Sequence, residues 1–260
     1  MQGSVGDKIF SFVITRELAV RDGHGAQVFV VNGNLVAKIF DPLYYPALDD
    51  YTGRRADVAQ MADCDYSREA AVYEEIRELW GTAAANYHGS WTFNIPTDTA
   101  SGVVTRSIRL VLIEFIDGVC MRDLEPNQLT EEQRSNIMVK VIEAETALTF
   151  RGGVRHRDFA PRNIICSGGD LGSPQLRVTI IDFNIAVIFR LTGGPRMEGN
   201  LPPSPIEHWS RRSVEFVDPG WIPRNRAEWG QWLFKHFGGS VLYQPVTDTA
   251  FFDPPRSIPG

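Results

Sequence analysis

The sequence is poor in cysteine and contains no long hydrophobic run. Its 260 residues include only 3 cysteines, Cys64, Cys120 and Cys166, which are widely spaced and odd in number. This spacing argues against a disulfide framework and against paired metal ligands, so we expect a reducing, intracellular and cytoplasmic environment. No apolar stretch approaches the roughly 18 residues that a membrane-spanning helix needs, and we expect no membrane partner. The first residues lack a basic segment followed by an apolar core, so we expect no secretory signal.

Positive charge is also scarce. The 26 Lys and Arg residues are outnumbered by 32 Asp and Glu, which gives a formal net charge of -6. A dedicated nucleic-acid-binding protein normally carries a basic excess, so we expect no nucleic-acid partner. With 43% hydrophobic and 22% charged residues, the chain has the composition of a globular protein. Its length suffices for one large domain or two small lobes, each with its own core.

Proline is unevenly distributed along the chain. Of the 16 prolines, 10 lie beyond Phe189. Since proline fixes its own φ and cannot donate to a hydrogen-bond ladder, this region is predicted to be largely irregular. Only Arg226–Phe237 shows helical spacing of its apolar residues there. Four tryptophans are expected to supply a core for this region: Trp209, Trp221, Trp229 and Trp232.

The first 120 residues are predicted to form mainly strands. Gln27–Val31 and Leu35–Phe40 are β-rich runs joined by the sequence Asn-Gly-Asn, which is a strong hairpin signal. Residues 107–115 are apolar on both faces toward their end, which is typical of a central strand.

Two helices are predicted from apolar periodicity. In residues 67–80 the apolar stripe defines an inward face, and Glu69 shares that face with Tyr73. A buried carboxylate needs a compensating cation, and Lys38 lies on an otherwise apolar strand, so we infer that Lys38 and Glu69 pair. The alternative is that Glu69 merely ends the helix near solvent and has no buried partner. The second helix, residues 130–150, begins with a capping-box pattern and serves most simply as core scaffolding.

Two later segments, residues 154–165 and 178–184, each bring polar side chains to the edge of an apolar run. Asp158, Arg162 and Asn163 lie in the first segment, and Asp182 lies in the second. Carboxylate and amide oxygens suit Mg²⁺. An arginine beside them neutralises phosphate charge, and a separate aspartate accepts a proton from a hydroxyl nucleophile. Singly, each residue also has a purely structural interpretation, but their joint occurrence in this order is not expected by chance.

In this order the motifs resemble those of the protein-kinase-like fold. The sequence His156-Arg157-Asp158 with Asn163 matches the fixed positions of the H-R-D-x-x-x-x-N catalytic loop, and Asp182-Phe183 matches two positions of D-F-G. Val36-Ala37-Lys38-Ile39 is similar to the strand that carries the phosphate-binding lysine. The resemblance covers roughly residues 15 to 190. It implies an α+β, bilobal fold with a β-rich N-lobe containing one key helix, at residues 1–117, and a shortened, mainly helical C-lobe at residues 118–260.

The resemblance also implies roles for individual residues, with ATP and Mg²⁺ as cofactors. Asp158 would be the catalytic base, Asn163 and Asp182 would hold the metal, and Lys38, tied by Glu69, would contact the phosphates. His156 and Arg157 would support the loop. The remaining cofactor-binding candidates are Gly23, Gly25 and Val28 in a glycine-rich turn and Ile113, Glu114 and Phe115 in the segment that would hold adenine.

Several positions depart from the kinase pattern. Ala160 stands where many protein kinases have a lysine that contacts the transferred phosphate, and Arg162 could supply that positive charge instead. Asn184 replaces the glycine after Asp182-Phe183, and the glycine-rich turn lacks a third glycine. After Asn184 the remaining chain (residues 185–260) is short for a complete kinase lobe.

Three functions therefore stay open from the sequence alone. The first is an ATP- and Mg²⁺-dependent phosphotransferase acting on a hydroxyl of a protein or of a small molecule, with protein favoured by the His-Arg-Asp triplet. The second is a pseudokinase that binds nucleotide without turnover. The third is a structural interaction protein whose tryptophan-rich tail binds a partner.

Overall fold

The computed structural model describes residues 2–5, 8–23, 25–48, 53–193, 201–211 and 213–246. His24 of the glycine-rich turn and four of the late prolines, at positions 195, 254, 255 and 259, lie outside these ranges. The chain divides into two compact units. The first unit comprises Met1–Glu75, Ala85–Ile116 and Asp182–Ala186, and the second comprises Ile76–Ala84, Asp117–Ile181 and Val187–Gly260. Strands and helices are both present, which confirms the predicted α+β class.

The first unit is built on a 7-stranded antiparallel sheet with strand order β2-β1-β6-β7-β5-β4-β3. Its strands are β1 (Gln2–Val5), β2 (Lys8–Ser11), β3 (Ile14–Ala19), β4 (Gln27–Val31), β5 (Leu35–Phe40), β6 (Tyr87–Thr99) and β7 (Gly102–Glu114). The predicted hairpin between β4 and β5 is confirmed, with Asn32 and Gly33 at φ of 50° and 80°. Positive φ at successive turn residues is what a tight hairpin requires.

Successive side chains along each strand point to opposite faces of this sheet. Ala37 and Ile39 of β5 point to one face, where they join a buried apolar cluster with Leu110 and Leu112 of the central strand β7. Lys38 lies between them in sequence and therefore points to the other face. The strand predicted at 107–115 is central as expected, but it begins at Gly102 because the β6–β7 hairpin extends outward beyond the core.

Helix α1 (Val58–Glu75) has different ends from the helix predicted at 67–80. Its first turns carry mostly exposed side chains, with Ala62 buried, so they show no apolar stripe for a sequence pattern to detect. The α-helix ends at Glu75 because Ile76 adopts φ -96° and ψ 29°, and a short 3₁₀ turn, Arg77–Leu79, follows. Ile76 and Leu79 are nevertheless buried, as their apolar character predicted.

The second unit contains helices α2 (Glu131–Thr146), α3 (Phe189–Thr192), α4 (Pro205–His208), α5 (Val214–Val217) and α6 (Arg226–Phe237). Its short strands are β8 (Gly118–Cys120), β9 (Val154–Arg155), β10 (Ile164–Ser167), β11 (Arg177–Ile180) and β12 (Val187–Ile188). The predicted capping box at the start of α2 is present, and a π-helical turn, Ala147–Arg151, replaces its expected last turn. Within the described ranges, no helix has the length and apolar character needed to cross a membrane.

The C-terminal region packs against α2 through its aromatic residues. Trp229 of α6 is 1% exposed, stacks on Trp232 and donates from its ring nitrogen to the carbonyl of Trp209. The Glu145 carboxylate of α2 accepts hydrogen bonds from the Trp209 ring nitrogen, at 3.0 Å, and from Thr149, at 2.7 Å. The predicted helix at Arg226–Phe237 is confirmed. This late segment is thus part of the core of the second unit.

Candidate active site

Lys38 of β5 lies between two carboxylates in the first unit. Its Nζ is 2.5 Å from Oε2 of Glu69 on α1 and also forms an ion pair with Oδ1 of Asp182. The side chains of Lys38 and Glu69 are 11% and 1% exposed, whereas that of Asp182 is 40% exposed. The predicted Lys38–Glu69 contact is therefore present, and the single exposed member of the cluster is Asp182.

The cluster has more negative than positive charge. Burial lowers the pKa of Lys38, but the neighbouring carboxylates of Asp182 and Glu69 outweigh it and raise that pKa above its ordinary value. Burial raises the pKa of Glu69 to about 7, despite the opposing effect of Lys38. One ammonium group thus compensates two carboxylates, and a further cation beside the exposed Asp182 would be favourable.

Asp182 begins a turn whose backbone is unusual for its sequence. Asp182 has φ 69°, in the left-handed region that residues other than glycine rarely adopt. The next residue, Phe183, is fully buried; its ring packs edge-on against Tyr73 at 5.3 Å, and its backbone N–H donates to Glu69. The packing of Phe183 therefore holds the turn so that Asp182 reaches Lys38.

The glycine-rich turn between β3 and β4 is organised by a residue that the sequence pattern did not single out. The buried Gln27 side chain accepts from the Arg21 backbone N–H at 2.8 Å and donates to the carbonyls of Arg21 and Gly25 at 2.9 and 3.0 Å. Gly23 and Gly25 have φ of 74° and 75°, which explains the need for glycine at both positions. The signal available in the sequence was a polar residue at a position where strand alternation points inward.

Several predicted nucleotide-binding residues share one face of the sheet. In the strand register, Val28 of β4 lies opposite Lys38, and Val36 of β5 lies opposite Ile113 of β7. Directly opposite residues in an antiparallel pair point to the same face, and Val36 and Lys38 are two residues apart on one strand. Val28, Val36, Lys38 and Ile113 therefore line a common surface of the first unit.

In the segment expected to hold adenine, residues 113–115, two backbone N–H groups already form hydrogen bonds within the protein. The N–H of Glu114 donates to the Asn86 carbonyl at 2.9 Å, and that of Phe115 donates to the Asn34 carbonyl at 3.1 Å. The Glu114 carboxylate accepts from the backbone and side-chain nitrogens of Asn86 at 3.0 and 2.9 Å. These contacts fix the end of β7, and the next amide along the chain is that of Ile116.

In the second unit, the predicted catalytic loop follows β9. The His156 ring is 3% exposed, and its Nε2 forms a 2.8 Å hydrogen bond with the carbonyl of Ile181. The Asn163 side-chain amide donates both to Oδ2 of Asp158, at 2.9 Å, and to the Asp158 carbonyl, at 2.8 Å. Arg157 has an exposed side chain that forms no ion pair with any described carboxylate.

The arrangement of Asn163 leaves a defined group for cation binding. Its amide nitrogen has two hydrogens, and both are used by Asp158. Its Oδ1 is therefore directed elsewhere, and a neutral oxygen of this kind is a suitable ligand for a hard divalent cation. Among the described residues no group of three or more His, Cys, Asp and Glu side chains is arranged to hold a metal. Mg²⁺ commonly needs only one or two protein side chains when phosphates complete its coordination.

Arg162 is held by carboxylates on two sides. One guanidinium nitrogen pairs with Oδ1 of Asp158, and the other lies 3.2 Å from Oε2 of Glu215 on α5. The hydrogen bond with Asp158 is the main cause of a pKa of Arg162 above its ordinary value, so this side chain stays charged. Asp158 thus has one oxygen bonded to Arg162 and the other to Asn163.

Aromatic packing attaches this loop to the C-terminal region of the same unit. The ring of Phe159, the residue after Asp158, lies 5.5 Å from Phe216 and 6.0 Å from Trp209. Phe216 is fully buried. The contacts of Phe159 with Phe216 and of Arg162 with Glu215 both reach α5, so the short C-terminal segment supports the loop from the side.

Comparison with known proteins identifies one family. The model of the ABC1 atypical kinase-like domain matches residues 35–189. This range begins at the first residue of β5 and includes Lys38, Glu69, Asp158, Asn163 and Asp182. A search of curated proteins finds no match.

Proposed function

The chain belongs to the ABC1 atypical kinase-like family, and we propose that it is a phosphotransferase that moves the γ-phosphate of ATP to a hydroxyl acceptor with the help of Mg²⁺. The observation that carries the proposal is the Lys38 cluster. A buried lysine paired with the helix residue Glu69 and with Asp182 combines a fixed positive charge with a carboxylate that is 40% exposed. Phosphate and a divalent cation are the ligands that such a pair accommodates together.

In this proposal Lys38 binds the α- and β-phosphates, and Glu69 holds the ammonium group in place. Asp182 and Asn163 supply the oxygen ligands for Mg²⁺, which when bound would neutralise charge on the phosphates. The glycine turn, with Gly23 and Gly25, brings its backbone close to the phosphates. The lack of a side chain at these positions permits close approach.

Adenine is proposed to lie against the sheet face formed by Val28, Val36 and Ile113. This face is apolar beside Lys38, as a base-binding surface should be. Because the amides of Glu114 and Phe115 already donate to backbone carbonyls, we propose that the N–H of Ile116 makes the hydrogen bond to the base. Carbonyl groups of the 113–115 segment would accept from its amino group.

Asp158 is proposed as the base that orients the acceptor hydroxyl and takes its proton. Its Oδ2 is held by Asn163, which fixes the carboxylate plane. Its Oδ1 is bonded to Arg162, which has a second carboxylate, Glu215, within reach. We propose that Arg162 turns from Asp158 toward the transferred phosphate. There it would take the place of the lysine that many protein kinases have at the position of Ala160. The acceptor is proposed to be a protein hydroxyl in the cytoplasm.

The decisive experiment measures transfer of radiolabel from γ-³²P-ATP to protein acceptors and to small hydroxylated compounds. Asp158→Asn preserves the shape of the side chain but removes its basicity, and we expect a rate loss of about 10² to 10⁴. Binding of Mg·ATP, followed as a rise in melting temperature, should persist in this variant. A wild-type chain whose melting temperature is unchanged by Mg·ATP would contradict the proposal at its first step.

A nucleotide-binding protein without turnover is the second candidate. It is favoured by the engagement of both Asp158 oxygens and by the fully buried Ala160 where kinases place a cation. This candidate predicts that Mg·ATP stabilises the wild type and the Asp158→Asn variant equally, with no labelled product from any acceptor. Label transfer that Asp158→Asn abolishes would exclude it.

A further inference from the structure

The turn that contains Asp182 is attached to helix α1 at a point beyond the Lys38 cluster. The side chain of Asn184 is hydrogen-bonded to the carboxylate of Asp65. Asp65 precedes Glu69 by four residues on α1, and Tyr73 follows Glu69 by four. Residues at this spacing lie on one face of a helix. One face of α1 therefore contacts the turn at successive levels.

Three residues of α1, one helical turn apart, contact successive parts of the Asp182 turn. Tyr73 packs against the ring of Phe183, Glu69 accepts from the Phe183 backbone N–H, and Asp65 bonds to Asn184. Glycine at position 184 could not make the last of these contacts. The asparagine that departs from the kinase pattern thus adds a fixed point just beyond the metal-binding candidate.

Asp65 also contacts Tyr45, whose ring packs against the glycine-rich turn. The hydroxyl of Tyr45 donates to Oδ2 of Asp65 at 3.1 Å, and Tyr45 is 6% exposed. The Tyr45 ring lies 3.4 Å from the point where a Cβ on Gly25 would stand, and the Gly25 N–H donates to the Tyr44 carbonyl at 3.3 Å. One carboxylate therefore joins the glycine turn, through Tyr45, to the Asp182 turn, through Asn184.

We propose that Asp65 is a positioning residue that holds Asp182 ready to bind the nucleotide's divalent cation, acting through Asn184, and that Tyr45 couples this to the glycine turn. The inference rests on the proposed function. Its physical basis is that Asp182 has the positive φ of 69°, a left-handed conformation that residues with a side chain adopt less readily than glycine. The contacts of Phe183 and Asn184 with α1 keep the backbone of Asp182 in that conformation.

The test compares ATP binding with Mg²⁺ and with EDTA, by calorimetry on the full chain. We expect Asp65→Ala and Asn184→Ala to reduce the gain in affinity that Mg²⁺ provides by about tenfold, as loss of a hydrogen bond that orients a metal ligand typically does. Affinity for metal-free ATP should remain within about twofold of the wild type. The matched control is Asp63→Asn, which removes an exposed carboxylate of the same helix that pairs with Arg109 and should change neither value.

A conservative series guards against variants that simply fold poorly. Tyr45→Phe keeps the ring against Gly25 and removes only the hydroxyl, and we expect a smaller, severalfold loss of the Mg²⁺ effect. Tyr45→Phe combined with Asp65→Ala should be no worse than Asp65→Ala alone, because both remove the same hydrogen bond.

The outcomes separate this inference from the proposed function. Equal weakening of metal-free and Mg²⁺-dependent binding would assign Asp65 a merely structural role and overturn the inference. An unchanged Mg²⁺ effect in Asp65→Ala and Asn184→Ala would overturn it as well, while leaving the proposed function intact. A wild-type chain that binds no ATP under either condition would refute both.

Discussion

Removal of the Lys38 charge should destabilise the protein in a pH-dependent way. Lys38→Met replaces the ammonium group by an apolar end of similar length and leaves the Glu69 carboxylate, 1% exposed, without its partner. Breaking a buried ion pair on one side costs about 3–5 kcal/mol when the remaining group stays charged. Glu69 can avoid this cost by taking up a proton, so the measured loss depends on pH.

The direction follows from the pKa of Glu69. In the wild type it is raised by burial from 4.5 to about 7, so the folded state binds more protons than the unfolded state between these values. The contribution of Glu69 to stability therefore falls as the pH rises from 4.5 to 7 and is constant above. Lys38 remains charged throughout, since its pKa is raised.

Without Lys38, the pKa of Glu69 rises further, and its contribution continues to fall above pH 7. The difference in unfolding free energy between wild type and Lys38→Met should then grow by up to about 1.4 kcal/mol per pH unit. Between pH 7 and pH 9 this amounts to roughly 3 kcal/mol by the same relation. Urea unfolding of both proteins at pH 6, 7, 8 and 9 measures it.

The double variant Lys38→Met/Glu69→Gln is the control, because it removes both charges and should recover most of the loss at pH 9. Glu69→Gln alone should show no growth of the deficit between pH 7 and pH 9. A deficit of Lys38→Met that is flat across this range would refute the reasoning. So would a double variant as unstable at pH 9 as Lys38→Met.

Three further predictions concern the glycine-rich turn and the predicted catalytic loop. Gln27→Glu keeps the acceptor of the buried amide but loses its donors, so it should lower the melting temperature and weaken ATP binding more than the exposed-site control Glu17→Gln. Gly25→Ala, at φ 75°, should cost about 1–2 kcal/mol of unfolding free energy and weaken ATP binding; an unchanged affinity would separate this turn from the phosphates. Phe216→Ala should cost about 3–5 kcal/mol and lower the transfer rate through Phe159, and a normal rate in the folded variant would show that the loop stands without α5.

The sequence predicted those parts of the fold in which local chemistry decides the outcome. The β4–β5 hairpin, the capping box of α2 and the Arg226–Phe237 helix each depend on a few neighbouring residues, and each is present. The Lys38–Glu69 pair was predictable for a different reason. Each charge lay on an inward face and required a partner, which made long-range pairing the simplest solution.

Other features depend on tertiary contacts that no local pattern encodes. The start of α1 was missed because its first turns are mostly exposed, and its end because Ile76 leaves the helix while staying buried. Tyr45 lies beside Pro46 in an irregular segment, so its contact with Asp65 had no periodic signal. Asp65 itself was accessible to sequence reasoning, since it precedes Glu69 by one turn of the same helix.

The position of Phe159 against Phe216 and Trp209 has a consequence for how the second unit responds to change. The residue adjacent to the proposed base shares its packing with a stretch of chain some fifty positions later. A protease cut, a modification or a binding partner acting on that later stretch would disturb the geometry of Asp158 without touching it. The segment that contains Trp209 and Phe216 is thus a place from which the geometry beside the proposed base can be altered at a distance.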